Sequence, residues 1–116
     1  MSHPSVHKMK LNPAPFEMIR CGQKTIELRL YDEKRRAVNV GDTVIFANTE
    51  NGEELSARVN ALHVFADFGE LYSALPLLKC GYTDDNVDKA DPSDMELYYT
   101  AEEQKKYGVV GIELVL

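Results

Sequence analysis

The chain has 116 residues, of which 44% are hydrophobic and 28% are charged, and its formal net charge is −6. This length suits one domain with a single core, and the composition is typical of a folded globular protein rather than a disordered one. No apolar run approaches the roughly 20 residues that span a bilayer, and the first residues lack the apolar segment of a signal peptide. We therefore expect one cytoplasmic domain over residues 1–116, with no membrane partner and with residues 1–5 as a flexible terminus.

The charge is unevenly distributed along the chain. Residues 1–36 contain 8 basic and 4 acidic residues, a net charge of +4, whereas residues 37–116 contain 5 basic and 15 acidic residues, a net charge of −10. The acidic average argues against affinity for long polyanions, because such binding depends on Lys and Arg neutralising phosphates. The basic third indicates either a focused site for an anionic ligand or a chance surface patch.

The first third of the chain predicts a strand followed by a short helix. VHKMKL at residues 6–11 alternates apolar and polar residues, as a half-buried strand does. Asn12 can cap a helix through its side chain, and Gly22 fits the position after a helix where a positive φ is needed. We therefore predict a helix over residues 13–21, with Arg20 directed toward water or a ligand.

The middle of the chain predicts three strands. TIELRL at residues 25–30 alternates, and the charged loop over residues 32–42 leads into the strand TVIFAN. The pair Asn51-Gly52 marks a hairpin, with residues 54–65 as the long return strand.

Short helices and a final strand complete the prediction. Capping residues and prolines indicate three short helices. One is predicted over residues 68–75, after Asp67 with Glu70, and another is opened by Pro92, Ser93 and Asp94. The third is AEEQKKYG, after Thr100 with Glu103. VVGIELVL at the end is typical of a buried strand. About five strands with short helices between them predict an α+β fold or a small, mostly antiparallel barrel decorated by helices.

The stretch GQKTIELRL carries charge where a strand is predicted. Thr25, Glu27 and Arg29 share one face of this strand, opposite the apolar residues. By parity Lys24 belongs to the other face, so it joins Glu27 only if the strand begins after it or bulges there. The face is either a solvated ion pair, or the lining of a pocket in which Lys24 and Arg29 hold an anionic or carbonyl group and Glu27 accepts from N–H donors.

The remaining polar side chains give weaker signals. Of Tyr82, Tyr98, Tyr99 and Tyr107, we assign one, Tyr98, to stacking on a ligand and the others to packing. We interpret His63 as a packing residue, the acidic residues between 84 and 94 as a solvated loop, and both cysteines as reduced thiols without a chemical role. No spacing suggests a metal site, and we expect no cofactor.

The motif Gly22-x-Lys24-x-x-Glu27-x-Arg29, preceded by Pro15-Phe16 and followed by Gly41-Asp42, resembles the signature of the ASCH domain. This family is named after the domain of activating signal cointegrator-1. The similarity extends from about residue 9 to the C-terminus, and it is to the small stand-alone bacterial members.

The resemblance implies a fold and a ligand class. The fold is a PUA-like, mostly antiparallel β-barrel of about five to six strands decorated by short helices. Its cleft is proposed to bind RNA or a nucleotide, which would place Lys24, Glu27 and Arg29 at its floor. To these we add Arg20, Thr25 and Tyr98 as predicted ligand contacts.

The resemblance also leaves an enzymatic alternative open. Some relatives with this fold are amidohydrolases acting on N4-acetylcytidine, and ribonuclease activity is ascribed to others. The amidohydrolase pattern has a Thr in place of Glu27, and a carboxylate does not replace a hydroxyl nucleophile activated by Lys. The alternatives are a module that binds RNA or a nucleoside, and a hydrolase in which Lys24 activates or stabilises and Glu27 is the general base.

Overall fold

The computed structural model describes residues 4–116. Within these residues, five strands form one curled sheet, which carries four α-helices and three short 3₁₀ helices. The strands are β1 (Val6–Leu11), β2 (Ile26–Leu30), β3 (Thr43–Asn48), β4 (Glu54–Phe65) and β5 (Val109–Val115). The helices are α1 (Pro13–Arg20), α2 (Glu33–Arg36), α3 (Phe68–Ala74) and α4 (Ala101–Tyr107), with 3₁₀ helices at Leu77–Lys79, Val87–Lys89 and Pro92–Leu97.

The sheet is a half-barrel with the strand order β1-β3-β4-β5-β2. β1 and β3 are parallel, and the other three neighbouring pairs are antiparallel. The predicted α+β class, the strand positions and the mostly antiparallel sheet are confirmed. β1 and β2, which follow each other in sequence, are the two edges of the sheet.

The sheet buries apolar side chains on both of its faces, because successive residues of a strand point to opposite sides. Ile26, Leu28 and Leu30 of β2 pack on one face against Phe68 and Leu71 of α3. The other face packs against α1 and forms the larger core cluster.

The charged residues of β2 lie on the face of the larger core. Glu27 is paired with Ile112 and Arg29 with Val110, and both of these β5 residues belong to the larger cluster. Paired residues of neighbouring strands share a face. Glu27 and Arg29 therefore occupy the edge of an apolar interior, which rules out the solvated face that we considered for them.

Two local predictions were wrong. Asn12 occupies the N-cap position of α1 without capping through its side chain, and its Oδ1 accepts instead from the Thr49 hydroxyl at 3.2 Å. The predicted loop over residues 32–42 contains the short helix α2, because the Asp32 carboxylate accepts from the Arg35 N–H at 3.1 Å.

The terminus predicted to be flexible, residues 1–5, lies only partly within the described residues. Residues 1–3 fall outside it, whereas the Ser5 N–H donates to Asp42 Oδ1 at 3.0 Å and the Ser5 carbonyl accepts from the Thr43 N–H at 3.0 Å. These bonds connect the start of β1 to the start of β3.

Gly111 of β5 provides a test of this packing. A Cβ atom there would lie 2.7 Å from Leu75 Cδ1 and 3.1 Å from Ile26 Cγ2. We expect Gly111→Ala to lower the free energy of unfolding by about 1–3 kcal/mol, as overpacking does in other cores. Chemical denaturation measures this change, and adding Leu75→Ala should recover part of it, because the shortened side chain removes the closest contact. Unchanged stability of Gly111→Ala would contradict this packing.

Candidate functional site

A buried carboxylate lies between two cations at the start of β2. Glu27 is only 4% exposed. Its Oε1 lies 2.7 Å from Lys24 Nζ, and its Oε2 accepts from Arg29 Nε at 2.8 Å and lies 2.7 Å from Arg29 Nη2. Both carboxylate oxygens are therefore used by the protein itself. The site contains two positive charges and one negative charge.

The chain direction changes between α1 and β2, and this change brings Lys24 to Glu27. Gly22 has a φ of 86°, a value that glycine adopts without strain. The Lys24 N–H then donates to the Met18 carbonyl at 3.0 Å, and β2 begins only at Ile26. Lys24 thus precedes the strand, so the alternation of side chains along β2 does not determine its direction. A strand that begins after Lys24 was one of the two conditions under which we expected Lys24 to reach Glu27.

Arg29 also connects the two edges of the sheet. Its Nη2 donates to the backbone carbonyl of Lys10 in β1 at 2.8 Å. One guanidinium therefore binds the Glu27 carboxylate on its own strand and a carbonyl on the opposite edge strand. Such use of several donors in a fixed plane is characteristic of Arg and is not available to Lys.

Charge pairing keeps Glu27 ionised. Burial alone would raise the pKa of Glu27, but Lys24 and Arg29, by their charges and hydrogen bonds, hold it below its ordinary value. A carboxylate with a lowered pKa is a weak proton acceptor, so Glu27 is better suited to orienting the two cations than to general-base catalysis.

These three residues line a cleft of about 540 Å³. This volume lies in the range of small-ligand sites. The larger apolar and aromatic residues of its lining are Leu11, Pro15, Met18, Leu28, Tyr72, Tyr82, Met95, Leu97, Tyr98 and Tyr99. Its charged residues are Lys10, Lys24, Glu27, Arg29 and Asp94. Lys10, Lys24 and Arg29 come from the basic first third of the chain, whereas the other basic residues of that third lie outside the lining.

The structure brings four of the six predicted contact residues to this cleft. Lys24, Glu27 and Arg29 line it, and Tyr98 lies at its exposed rim, 65% accessible. Arg20 forms exposed ion pairs with Glu17 and Glu53 outside the lining.

Thr25, the sixth predicted contact, also lies outside the described lining. It is held by its backbone, with its N–H donating to the Lys79 carbonyl at 2.9 Å and its carbonyl accepting from the Leu114 N–H at 2.8 Å. These bonds fix the start of β2 rather than reaching into the cleft.

Several cleft residues were missed in the sequence. Tyr72 lies on α3 and was not considered, and Cys80 and Asp94 were assigned no function. Burial raises the pKa of Cys80 to about 11, so its thiol is protonated at neutral pH. No periodic signal links these residues to Glu27, because the fold brings them together from distant parts of the chain.

Tyr72, Tyr82 and Asp94 form a hydrogen-bonded chain in the cleft wall. The Tyr82 hydroxyl donates to Asp94 Oδ2 at 2.6 Å, and the hydroxyl oxygens of Tyr72 and Tyr82 are 2.7 Å apart. Asp94 Oδ2 also accepts from the Asp91 N–H at 3.2 Å in the capping box of the Pro92–Leu97 helix. These hydrogen bonds thus connect α3 to the segment that contains Tyr98.

Comparison with known proteins identifies the family of the chain. The family model described as "ASCH domain" matches residues 9–116. The chain belongs to the ASCH domain family. The match includes the Lys24, Glu27 and Arg29 site and the tyrosine wall of the cleft. No protein in the curated collection matches the chain.

Solved structures share the fold of this ASCH protein. The crystal structure of the hypothetical protein PH0355 is 34% identical with a TM-score of 0.78, and the match covers 94% of this chain and 96% of that one. The solution NMR structure of protein PF0455 from Pyrococcus furiosus is 35% identical with a TM-score of 0.72, and the match covers 94% of each chain. The crystal structure of ASCH from Zymomonas mobilis is 15% identical with a TM-score of 0.67, and the match covers 96% of this chain and 67% of that one. At that identity, the last comparison supports the fold alone.

Residues 4–116 contain neither a helix suited to span a membrane nor a cluster of metal-binding side chains. Among residues 4–116, no helix combines the length and the apolar character needed to cross a membrane. In the same residues, no group of three or more His, Cys, Asp or Glu side chains could hold a metal ion.

The buried ion pairs predict a pH-dependent stability. The pKa of Glu27 is lowered in the folded ASCH protein. Its charge therefore contributes stability that is complete above the unfolded pKa of about 4.3, and that is lost as the pH falls through the folded pKa. We expect Glu27→Gln to lower the free energy of unfolding by about 3 kcal/mol at pH 7, because it leaves two cations without their partner. The difference from the wild type should be smaller at pH 3, as measured by urea denaturation.

Glu17→Gln is the matched control, because Glu17 is an exposed partner of Arg20. We expect it to change stability by less than about 1 kcal/mol. An equal effect of both substitutions, or a Glu27→Gln effect that is independent of pH, would contradict a buried ionised carboxylate.

Proposed function

We propose that this ASCH protein binds single-stranded RNA or a nucleotide in the cleft, with Lys24 and Arg29 as the groups that hold the ligand. The observation that carries this proposal is that Glu27 fixes both cations at the floor of a cleft whose walls contain four tyrosines. Fixed cations suit a phosphate or a carbonyl oxygen, and aromatic walls suit an unstacked base.

The hydrogen-bond donors of the two cations support this assignment. Within residues 4–116, Lys24 Nζ pairs with Glu27 Oε1, so two of its three N–H donors can face a ligand. Arg29 uses Nε and Nη2 for Glu27 and Lys10, and within the same residues both N–H groups of its Nη1 make no hydrogen bond to the protein. The donors of the site are therefore already oriented in the folded protein, so that binding loses little side-chain entropy.

The charge distribution limits the kind of nucleic acid. The cleft lining contains three cationic residues and two anionic residues. Residues 37–116 carry 5 basic and 15 acidic residues, so most of the remaining chain repels a long polyanion. A short single strand or a free nucleotide can place a phosphate or a base in the cleft without covering the acidic part.

The pairing of Glu27 favours recognition over hydrolysis. A general base needs an oxygen that can reach a water molecule and a pKa near the working pH. Both Glu27 oxygens are within hydrogen-bond distance of a cation, and the pKa of Glu27 is lowered. Cys80, the thiol of the cleft, is protonated at neutral pH, since burial raises its pKa to about 11. Neither group is activated for attack.

The first test compares nucleic acids in a salt series. We expect fluorescence anisotropy to show that a short single-stranded RNA binds more tightly than duplex DNA of equal length. The RNA affinity should fall as salt increases, with the shallow slope of about one or two phosphate contacts. Equal and salt-insensitive affinity for both would argue against the proposal.

The second test compares two lysines. Lys24→Met should weaken RNA or nucleotide binding by about 1–3 kcal/mol, the usual loss for a charge-assisted hydrogen bond. Lys8→Met removes the same charge from β1, where Lys8 is exposed and outside the cleft lining, and should leave binding nearly unchanged. Similar losses in both variants would mean that total charge, rather than the cleft, determines binding. Circular dichroism checks that both variants are folded.

A further inference from the structure

The direction of the hydrogen bonds is fixed along the Tyr72–Tyr82–Asp94 chain. An ionised carboxylate only accepts, so the single Tyr82 proton is used in the 2.6 Å bond to Asp94 Oδ2. The Tyr82 oxygen must then accept across the 2.7 Å contact with Tyr72. Tyr72 is left without a proton for a ligand, and both hydroxyls keep only lone pairs.

Each tyrosine in this chain keeps its proton. Burial raises the pKa of Tyr82 above its ordinary value, as do its hydrogen bonds with Asp94 and Tyr72. Burial also raises the pKa of Tyr72, although the bond to Tyr82 opposes this effect. With both tyrosine protons used in these hydrogen bonds, a polar ligand group that bonds to either hydroxyl is a donor.

Two polar groups of the cleft lining thus differ in hydrogen-bonding character. Lys24 and Arg29 can only donate, whereas Tyr72, Tyr82 and Asp94 can only accept in the arrangement described. A ligand that contacts both groups needs an acceptor for the cations and a donor for the tyrosine wall. A nucleobase that has a ring nitrogen or carbonyl acceptor next to an amino group meets both needs.

We propose that the Tyr72–Tyr82–Asp94 chain binds the exocyclic amino group of a nucleobase, so that the cleft prefers adenine or cytosine over the same bases without the amine. This inference rests on the nucleotide function proposed above. An amino group has two N–H donors, and the wall offers several lone pairs to receive them. The specificity comes from an acceptor wall that is left unsatisfied when the ligand lacks the amine.

The test deletes the amine from the ligand and the acceptor from the protein. Binding is measured by isothermal titration calorimetry for adenosine and purine riboside 5′-monophosphates, and for cytidine and pyrimidin-2-one riboside 5′-monophosphates. For the wild type we expect the amino-bearing member of each pair to bind about 3–10-fold more tightly, the equivalent of one neutral hydrogen bond.

Tyr72→Phe keeps the aromatic ring and removes the hydroxyl. We expect it to lower the affinity ratio within each pair, mainly by weakening the amino-bearing member, whereas Tyr82 and Asp94 remain as acceptors. Tyr107→Phe is the matched control, because Tyr107 lies outside the cleft lining, and it should preserve the ratio. Lys24→Met should weaken all four ligands and also preserve the ratio.

The outcomes separate this inference from the proposed function. Equal wild-type affinity for both members of each pair, with loss in Lys24→Met, would overturn the amine preference and leave the nucleotide function in place. Equal weakening of both members by Tyr72→Phe would mean that the Tyr72–Tyr82–Asp94 hydrogen bonds only support the structure of the cleft, and it would also overturn the inference. Failure of the wild type to bind any of the four nucleotides would overturn the proposed function together with the inference.

Discussion

The burial of the Glu27 carboxylate between Lys24 and Arg29 is the constraint on which the rest of the site depends. A charge at the edge of an apolar core is tolerated only if it is paired, and here both carboxylate oxygens are paired. Pairing fixes the ends of two long cationic side chains that would otherwise be mobile. The carboxylate orients the donors of both cations, and the charged residues of the cleft lining still carry a net positive charge.

Different elements of the fold supply the charged and the aromatic residues of the cleft. Glu27 and Arg29 of the floor lie on β2, an edge strand whose other face packs against α3, whereas Lys24 lies in the segment before this strand. The tyrosine wall comes from α3 and from the segment of short 3₁₀ helices that follows it. Strand β2 therefore places Glu27 and Arg29, whereas connecting segments supply Lys24 and most of the aromatic and acceptor groups, as in many folds that vary their specificity through loops.

The parts of the structure that depend on local chemistry could be predicted from the sequence. The strands followed from alternation, and the capping box of Thr100 with Glu103 is present as predicted. The motif identified the family, and the alternation in TIELRL placed Glu27 and Arg29 on one face. The cleft wall could not be predicted, because Tyr72 reaches Asp94 only through the packing of α3 against the 3₁₀ segment. Helix α2 was missed because its short charged sequence lacks an apolar period, although Asp32 is a capping residue.

Arg29 has a second consequence, which concerns association between copies of the chain. The exposed edge of a sheet offers unpaired backbone groups to which a strand of another molecule can add. In this half-barrel the Lys10 carbonyl of edge strand β1 is already occupied by Arg29 Nη2 from edge strand β2. The guanidinium thus occupies one backbone acceptor of that edge. The Arg29 side chain that pairs with Glu27 in the cleft therefore also leaves one fewer open backbone acceptor on β1 for a strand of another molecule.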